Sequence, residues 1–355
     1  MSTHAPLGRI GRASRWLGLF AVLALTMGVA VATGPVSIPF DRVAGTVLRP
    51  LGVPLPALSP DQAQVLFALR LPRVLLGALV GAALAVSGAV LQGLFRNPLV
   101  DPALIGVSSG GALGVASVLI AAPGLVATWP LWAASLAPSV AAFAGGLAAT
   151  LIVLRLATSG GRTDMAALLL AGIAINALAG AVLGLFSVVS TDAQLRNLTF
   201  WTFGGLGGAT WKMIALVAPV LAVALVWLLR QRQALDAFLL GEVEAAHLGH
   251  AVDRVRLHAI AAAALAVGTT VAVAGLIGFV GLVVPHLVRL AIGPMHGRLV
   301  PAAALLGATL VVAADLAARM VLAPAELPVG IVTALIGAPF FLVLLVRERN
   351  SAGAH

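Results

Sequence analysis

Apolar residues run without interruption through ten windows of this chain: 16–33, 71–94, 103–122, 131–154, 164–187, 211–229, 256–276, 279–292, 299–320 and 328–346. Glycines, prolines and charges separate them. A helix crosses a bilayer in roughly 20 residues, so the pattern predicts about ten transmembrane helices joined by short loops. A membrane barrel would instead alternate apolar and polar positions over about ten residues, whereas these runs are continuous. The window at 279–292 is too short to cross alone and contains Pro285 and His286. Arg9, Arg12 and Arg15 precede the first window in the manner of a secretion signal, yet its apolar run exceeds the roughly 7–15 residues of a cleaved one. A retained first span is therefore expected. The fold class expected is all-α, a polytopic integral membrane protein, with residues 1–355 as a single transmembrane domain and 16–346 as its membrane-spanning core.

Composition narrows the possibilities. The chain is 61% apolar and 9% charged, against about 25% charged in soluble domains, which excludes a soluble enzyme and a disordered chain alike. A net charge of +9 would suggest nucleic acid in a soluble protein, but here the arginines occupy loops between apolar runs and no nucleic-acid partner is expected. Ten spans put both termini on one side, and two thirds of the basic residues fall on that side. The positive-inside rule then places both termini in the cytoplasm. With no cysteine, disulfides, thiol catalysis and cysteine-based metal clusters are absent, and no metal site is expected.

Small residues recur at helix-packing spacing, as at Gly77 and Gly81, Gly106, Gly110 and Gly114, and Gly180 and Gly184. Ala83–Val86 leading to Asn97–Val100 is echoed by Ala264–Val267 leading to Pro285–Val288. These stretches cross in opposite directions, a weak inverted repeat of the kind transporters use.

The longest polar interruption on the side of the termini spans 230–256. Within it, Ala237–Gly241 and Val243–Leu248 read as two short helices pivoting at glycines, with Glu242, Glu244, His247 and Asp253 exposed. Such a loop is either a docking surface for a partner or an amphipathic linker on the lipid headgroups. No Walker A motif is possible, because its lysine must follow glycine and the single lysine, Lys212, follows Trp211. Any ATPase must be a separate chain. On the opposite side, Arg70, Arg73 and Arg319 read either as interfacial anchors, Arg319 beside Asp315, or as docking points. Asn176 lies inside an apolar span, where it faces another helix or a cavity. Phe200, Trp201, Phe203 and Trp211 around Arg196 form an interfacial belt or a seat for a flat apolar ring carrying carboxylates. His247, His250, His258 and His286 read as structural or exposed.

Gly241-x-x-x-Ala245-x-x-Leu248-Gly249 resembles the coupling-helix signature of ABC importer permeases, in the shorter form found in the large permeases for ferric siderophores, haem and cobalamin. Arg70-Leu71-Pro72-Arg73 is similar to that family, as are Gln92-Gly93-Leu94-Phe95-Arg96-Asn97-Pro98-Leu99 with Asp101-Pro102, Gly278-Phe279-x-Gly281-Leu282-x-x-Pro285-His286-x-x-Arg289, and Glu326-Leu327-Pro328-x-Gly330. The resemblance implies a cobalamin-permease-like bundle working as a homodimer with two ATP-binding cassette subunits and a periplasmic binding protein, in a bacterial inner membrane. It further implies a coupling loop built on Gly241, Glu244, Ala245, Ala246, Leu248 and Gly249, and docking of the binding protein at Arg70, Arg73 and Arg319. The path and gate would be Asn97, Leu99, Met165, Ala166, Asn176 and Arg196. The stretch 195–211 looks closest to the haem-importing branch. The chain is then expected to be no enzyme and to hold no permanent cofactor, with ATP and Mg on the partner subunit and haem as transported substrate. A siderophore or cobalamin permease is the alternative within the family. An ion-coupled secondary transporter, the alternative from another class, would need mid-membrane carboxylates, and Asp164 and Asp315 read as close to span ends.

Overall fold

The computed structural model describes residues 7–34, 36, 38–48, 56 and 58–352; Arg49, one of the basic residues counted for orientation, lies outside them. The chain runs through α1 (Leu7–Ala32), α2 (Phe40–Leu48), α3 (Pro60–Gln64), α4 (Leu71–Phe95), α5 (Val107–Ala116), α6 (Pro123–Ala127), α7 (Leu131–Ala157) and the two-residue strands β1 (Thr158–Ser159) and β2 (Arg162–Thr163). It continues through α8 (Met165–Val189), α9 (Asp192–Thr202), α10 (Trp211–Arg230), α11 (Arg232–Phe238), α12 (Glu242–His247), α13 (Val252–Ala274), α14 (Val280–Ile292), α15 (His296–Met320) and α16 (Val329–Ala352). Every one of the ten apolar windows holds a helix. Among the described residues, seven helices are long and apolar enough to span a membrane, while Val107–Ala121 and Val280–Ile292 are shorter and α16 is apolar from Val329 to Val343. The side on which α1 begins is called the basic side below.

The second span starts earlier than its apolar run. Ser59 and Gln62 form a capping box, and the helix passes through a widened π turn at Val65–Arg70 before α4. Pro72 explains the widening: its nitrogen has no hydrogen to give the carbonyl four residues back, and Leu71 instead reaches Leu66. At the other end Arg96 turns left-handed at φ 50° and Pro98 forbids a further turn. Asn97 and Asp101 then brace the loop, their carboxamide and carboxylate oxygens accepting from the backbone N–H of Leu99 at 2.9 Å and of Ala103 at 2.8 Å.

Close approach of backbones decides where the spans cross. A Cβ placed on Gly81 would lie 2.2 Å from the Gly307 carbonyl oxygen, and one on Gly88 only 1.8 Å from that of Gly281. These two contacts lock α4 against α15 and α14. By contrast Gly180 and Gly184 on α8 meet nothing within 4 Å, so their spacing serves no contact inside this chain.

Thirteen residues give α14 a length of about 20 Å, short of the roughly 30 Å hydrocarbon layer. The rest of that crossing is irregular backbone at 275–279, and such backbone is tolerated in a membrane only when protein surrounds it. Here α4 packs against the first turn of α14, where the Gln92 side-chain amide, 2% exposed, donates at 3.1 Å to the Gly281 carbonyl, the one that Pro285 leaves without its helical donor. On the side opposite the basic one, the loop after α9 is tied to neighbouring spans by main-chain bonds and by the buried Leu206 side chain, which packs against Gly77. Gly205 donates to Ala274 at 2.8 Å, and Val329 and Gly330 donate to Gly204 and Phe203, each at 3.0 Å.

Candidate functional site

The loop between α10 and α13 folds onto the basic side as two short helices. Their bounds differ from the sequence expectation. Ala234, Leu235, Ala237 and Phe238 are buried at helical spacing, which draws the first helix back to 232–238. It ends at Phe238, short of Gly241, whose φ of 133° turns the chain into α12. In α12 Ala245 is fully buried and holds the helix down. Val243 and Leu248, with Leu240 beside them, remain 63%, 62% and 67% exposed. Gly249, at φ 90°, lets the chain turn from α12 into α13. Glu244, Ala246 and His247 are exposed, whereas Glu242 is half-exposed and ion-paired with Arg256. An apolar ridge on a polar loop is the arrangement expected of a partner contact.

Two clefts flank this ridge, one for each pair of gate candidates. Asn97 lines the first, of 320 Å³, together with Gln92, Arg289, Leu239 and His296; Leu99 is 46% exposed nearby in sequence. Met165 and Ala166 line the second, of 460 Å³, with Glu242 and Arg256. Asp164 caps α8 there, accepting from the N–H groups of Ala166 and Ala167 at 2.8 and 3.1 Å.

Sequence reasoning missed the polar residues that tie this face together. Asp236 on α11 accepts from the backbone N–H of His296 and Gly297, fastening the loop to the start of α15. Arg289 donates to Oε1 of the Gln92 side chain at 2.9 Å, linking α14 to α4. The one available signal was a single amide, Gln92, in an otherwise apolar run.

On the opposite side the geometry corrects the expectation for Arg70 and Arg319. They are 4% and 3% exposed and neither offers a free guanidinium to a docking protein. Arg70 donates to the carbonyls of Val31 at 2.8 Å, Ala32 at 2.7 Å and Val36. Arg319 pairs with Asp315 at 3.1 Å and donates to Ala30 at 3.1 Å. Arg73 is shared between Asp315 and Glu326, each at 2.9 Å. The cluster clamps the ends of α1, α4 and α15. Removing one member of a buried pair strands the other charge at a cost of about 3 kcal/mol, so Arg319→Ala is expected to lower the melting temperature of the detergent-solubilised protein markedly. A melting curve like that of the wild type would contradict the clamp.

Asn176 is likewise engaged. Its amide donates to Ala103 at 3.2 Å and accepts from Ser109 at 2.5 Å, stitching α8 to α5. Arg196 is exposed on α9, a capped amphipathic helix that the sequence reading left as an aromatic segment. His286 sits mid-helix against the Phe340 ring at 5.9 Å and is 9% exposed. His258 packs on Trp227 at 5.7 Å.

Residues 19–347 match the FecCD transport family. This chain belongs to that family. FecCD permeases are transport subunits of ABC importers that work with separate ATPase and binding-protein partners and are not themselves enzymes. The chain is thus an integral membrane permease of a type II ABC importer. It is 47% identical over 283 residues to the hemin transport system permease protein HmuU of Yersinia pestis, covering 79% of this chain and 83% of that one. It is 43% identical to the cobalamin import system permease protein BtuC of Halobacterium salinarum, across 96% of this chain and 97% of the relative. A solved structure described as an inward-facing conformation of a metal-chelate type ABC transporter superposes with a TM-score of 0.80 at 32% identity, covering 94% of this chain and 99% of that one.

Proposed function

We propose that this permease moves haem from a periplasmic binding protein into the cytoplasm of a bacterial cell, through the inner membrane. The observation that carries the cargo is the 47% identity to a hemin permease, against 43% to a cobalamin permease. Exposed Phe200, Phe203 and Trp211 near Arg196 on the side opposite the basic one supply the apolar and cationic surface that a flat ring with carboxylates requires. The basic side is cytoplasmic by the positive-inside rule, both termini lie there, and the ATP-binding subunit grips the ridge of Val243 and Leu248. Two copies of the chain assemble with two such subunits. The support is α8, whose Leu170, Ile173, Leu178 and Leu185 are 56–68% exposed beside glycines that touch nothing in this chain. Cobalamin is the second reading, favoured by the longer stretch over which BtuC matches.

The test is ATP hydrolysis by the reconstituted complex, measured with a panel of binding proteins loaded with haem, ferric siderophores or cobalamin. Stimulation by the haem-loaded protein alone is expected. Stimulation by the cobalamin-loaded protein alone would replace the cargo assignment.

A further inference from the structure

We infer that Arg256 is a mechanical relay, a positioning residue that carries displacement of α12 directly to the start of α8. The inference rests on α12 being the ATPase-docking element. Arg256 lies near the start of α13, and its side chain is 12% exposed. One guanidinium nitrogen, Nη2, is paired with Glu242 in the first turn of α12. The other, Nη1, donates to the Thr163 main-chain carbonyl at 3.2 Å and pairs with Asp253 at 3.3 Å.

Thr163 ends the β1–β2 hairpin and directly precedes Asp164, the residue that caps α8 ahead of Met165 and Ala166. The hairpin cannot absorb a pull at Thr163. Its residues pair in register with Thr158 and Ser159, the two threonine hydroxyls meet at 3.1 Å, and Asp164 donates back to Ala157 at 2.9 Å. A planar, permanently charged fork suits such a bridge because its two nitrogens keep a fixed geometry. The remaining Nε–H is buried without an acceptor among the described residues, and the one further bond, to Asp253, stays within the first turn of α13, so no other element ties the guanidinium down. Across the 460 Å³ cleft, Arg256 thus offers a two-bond route from the ridge that meets the ATPase to the segment that lines the candidate gate.

The test uses the full complex of permease, ATP-binding subunit and binding protein in liposomes, with Arg256→Gln, Arg256→Lys and Glu242→Gln. The ATP-binding subunit is expected to co-purify with all three within about twofold of wild type. Uptake per ATP hydrolysed should fall at least tenfold in Arg256→Gln and Glu242→Gln, and less in Arg256→Lys, which keeps the charge but loses the fork. Hydrogen exchange supplies a readout that a merely structural role would leave unmoved. Amides of 158–167 should respond to ATP binding by the partner in wild type and cease to respond in both glutamine variants. Glu242 is half-exposed, so Glu242→Gln answers the question even if Arg256→Gln fails to fold. An unchanged uptake ratio, a retained exchange response, or loss of ATPase association in parallel with uptake would each overturn the relay. Failure of the docking reading shows separately, in a wild-type pull-down that retains no ATP-binding subunit, and the relay falls with it.

Discussion

Replacing Val243 and Leu248 together by aspartate is expected to abolish co-purification of the ATP-binding subunit while leaving a folded, monodisperse permease. Both side chains are more than 60% exposed in the chain alone, so their loss removes little from its own packing. Burying an aliphatic side chain of this size contributes about 2 kcal/mol, so two of them amount to about 4 kcal/mol. At about 1.4 kcal/mol per decade that approaches a thousandfold in Kd. Affinity measured in detergent by surface plasmon resonance decides it, with Leu240→Asp as a neighbouring probe. Full retention of affinity would move the contact elsewhere. Ala245 behaves differently because it is fully buried. Ala245→Trp is expected to lift α12 from the bundle, losing stability and association together, and so separates docking from anchoring less cleanly.

The second large effect lies in the membrane. Gly88→Leu is expected to yield no monodisperse protein at all. A Cβ at position 88 would lie 1.8 Å from a main-chain oxygen of α14, and no rotamer change relieves a clash with backbone. The two spans would have to part, and the Gln92 bond to the Gly281 carbonyl, which Pro285 leaves without its helical donor, would open with them. Unsatisfied backbone in hydrocarbon costs several kcal/mol, which added to the lost packing exceeds what a single substitution usually removes. Size-exclusion profiles of a fluorescent fusion give the answer, with Gly180→Leu on the same footing as a comparison. Gly180 meets nothing in this chain, so that variant should elute as a folded protein. A normal profile for Gly88→Leu would mean that α4 and α14 are less tightly joined than described.

The ten spans were legible because lipid demands continuous apolar runs, and a continuous run cannot be mistaken for a strand. Even the shortness of the eighth could be read from 279–292. What escaped was the start of the second span, since Asp61, Gln62, Gln64 and Arg70 look like loop residues although the helix runs straight through them. The ridge on the basic side was found in outline, because glycines at 241 and 249 bracket one short helix. Its partners were not, because Asp236, Arg256 and Gln92 act on main-chain groups far away in sequence. The same blindness misplaced Arg70, whereas the pair with Asp315 was one of the two readings open for Arg319. An arginine at a span end ordinarily reads as surface, and nothing in the sequence marks the carbonyls of α1 as its acceptors.

The main-chain ties at Phe203, Gly204, Ala274 and Val329 have an evolutionary consequence. The joint requires glycine at 204 and 330, where a Cβ would strike backbone, but no particular side chain at the exposed positions beside them. Those positions can therefore drift from one lineage to the next while the backbone joint keeps its form.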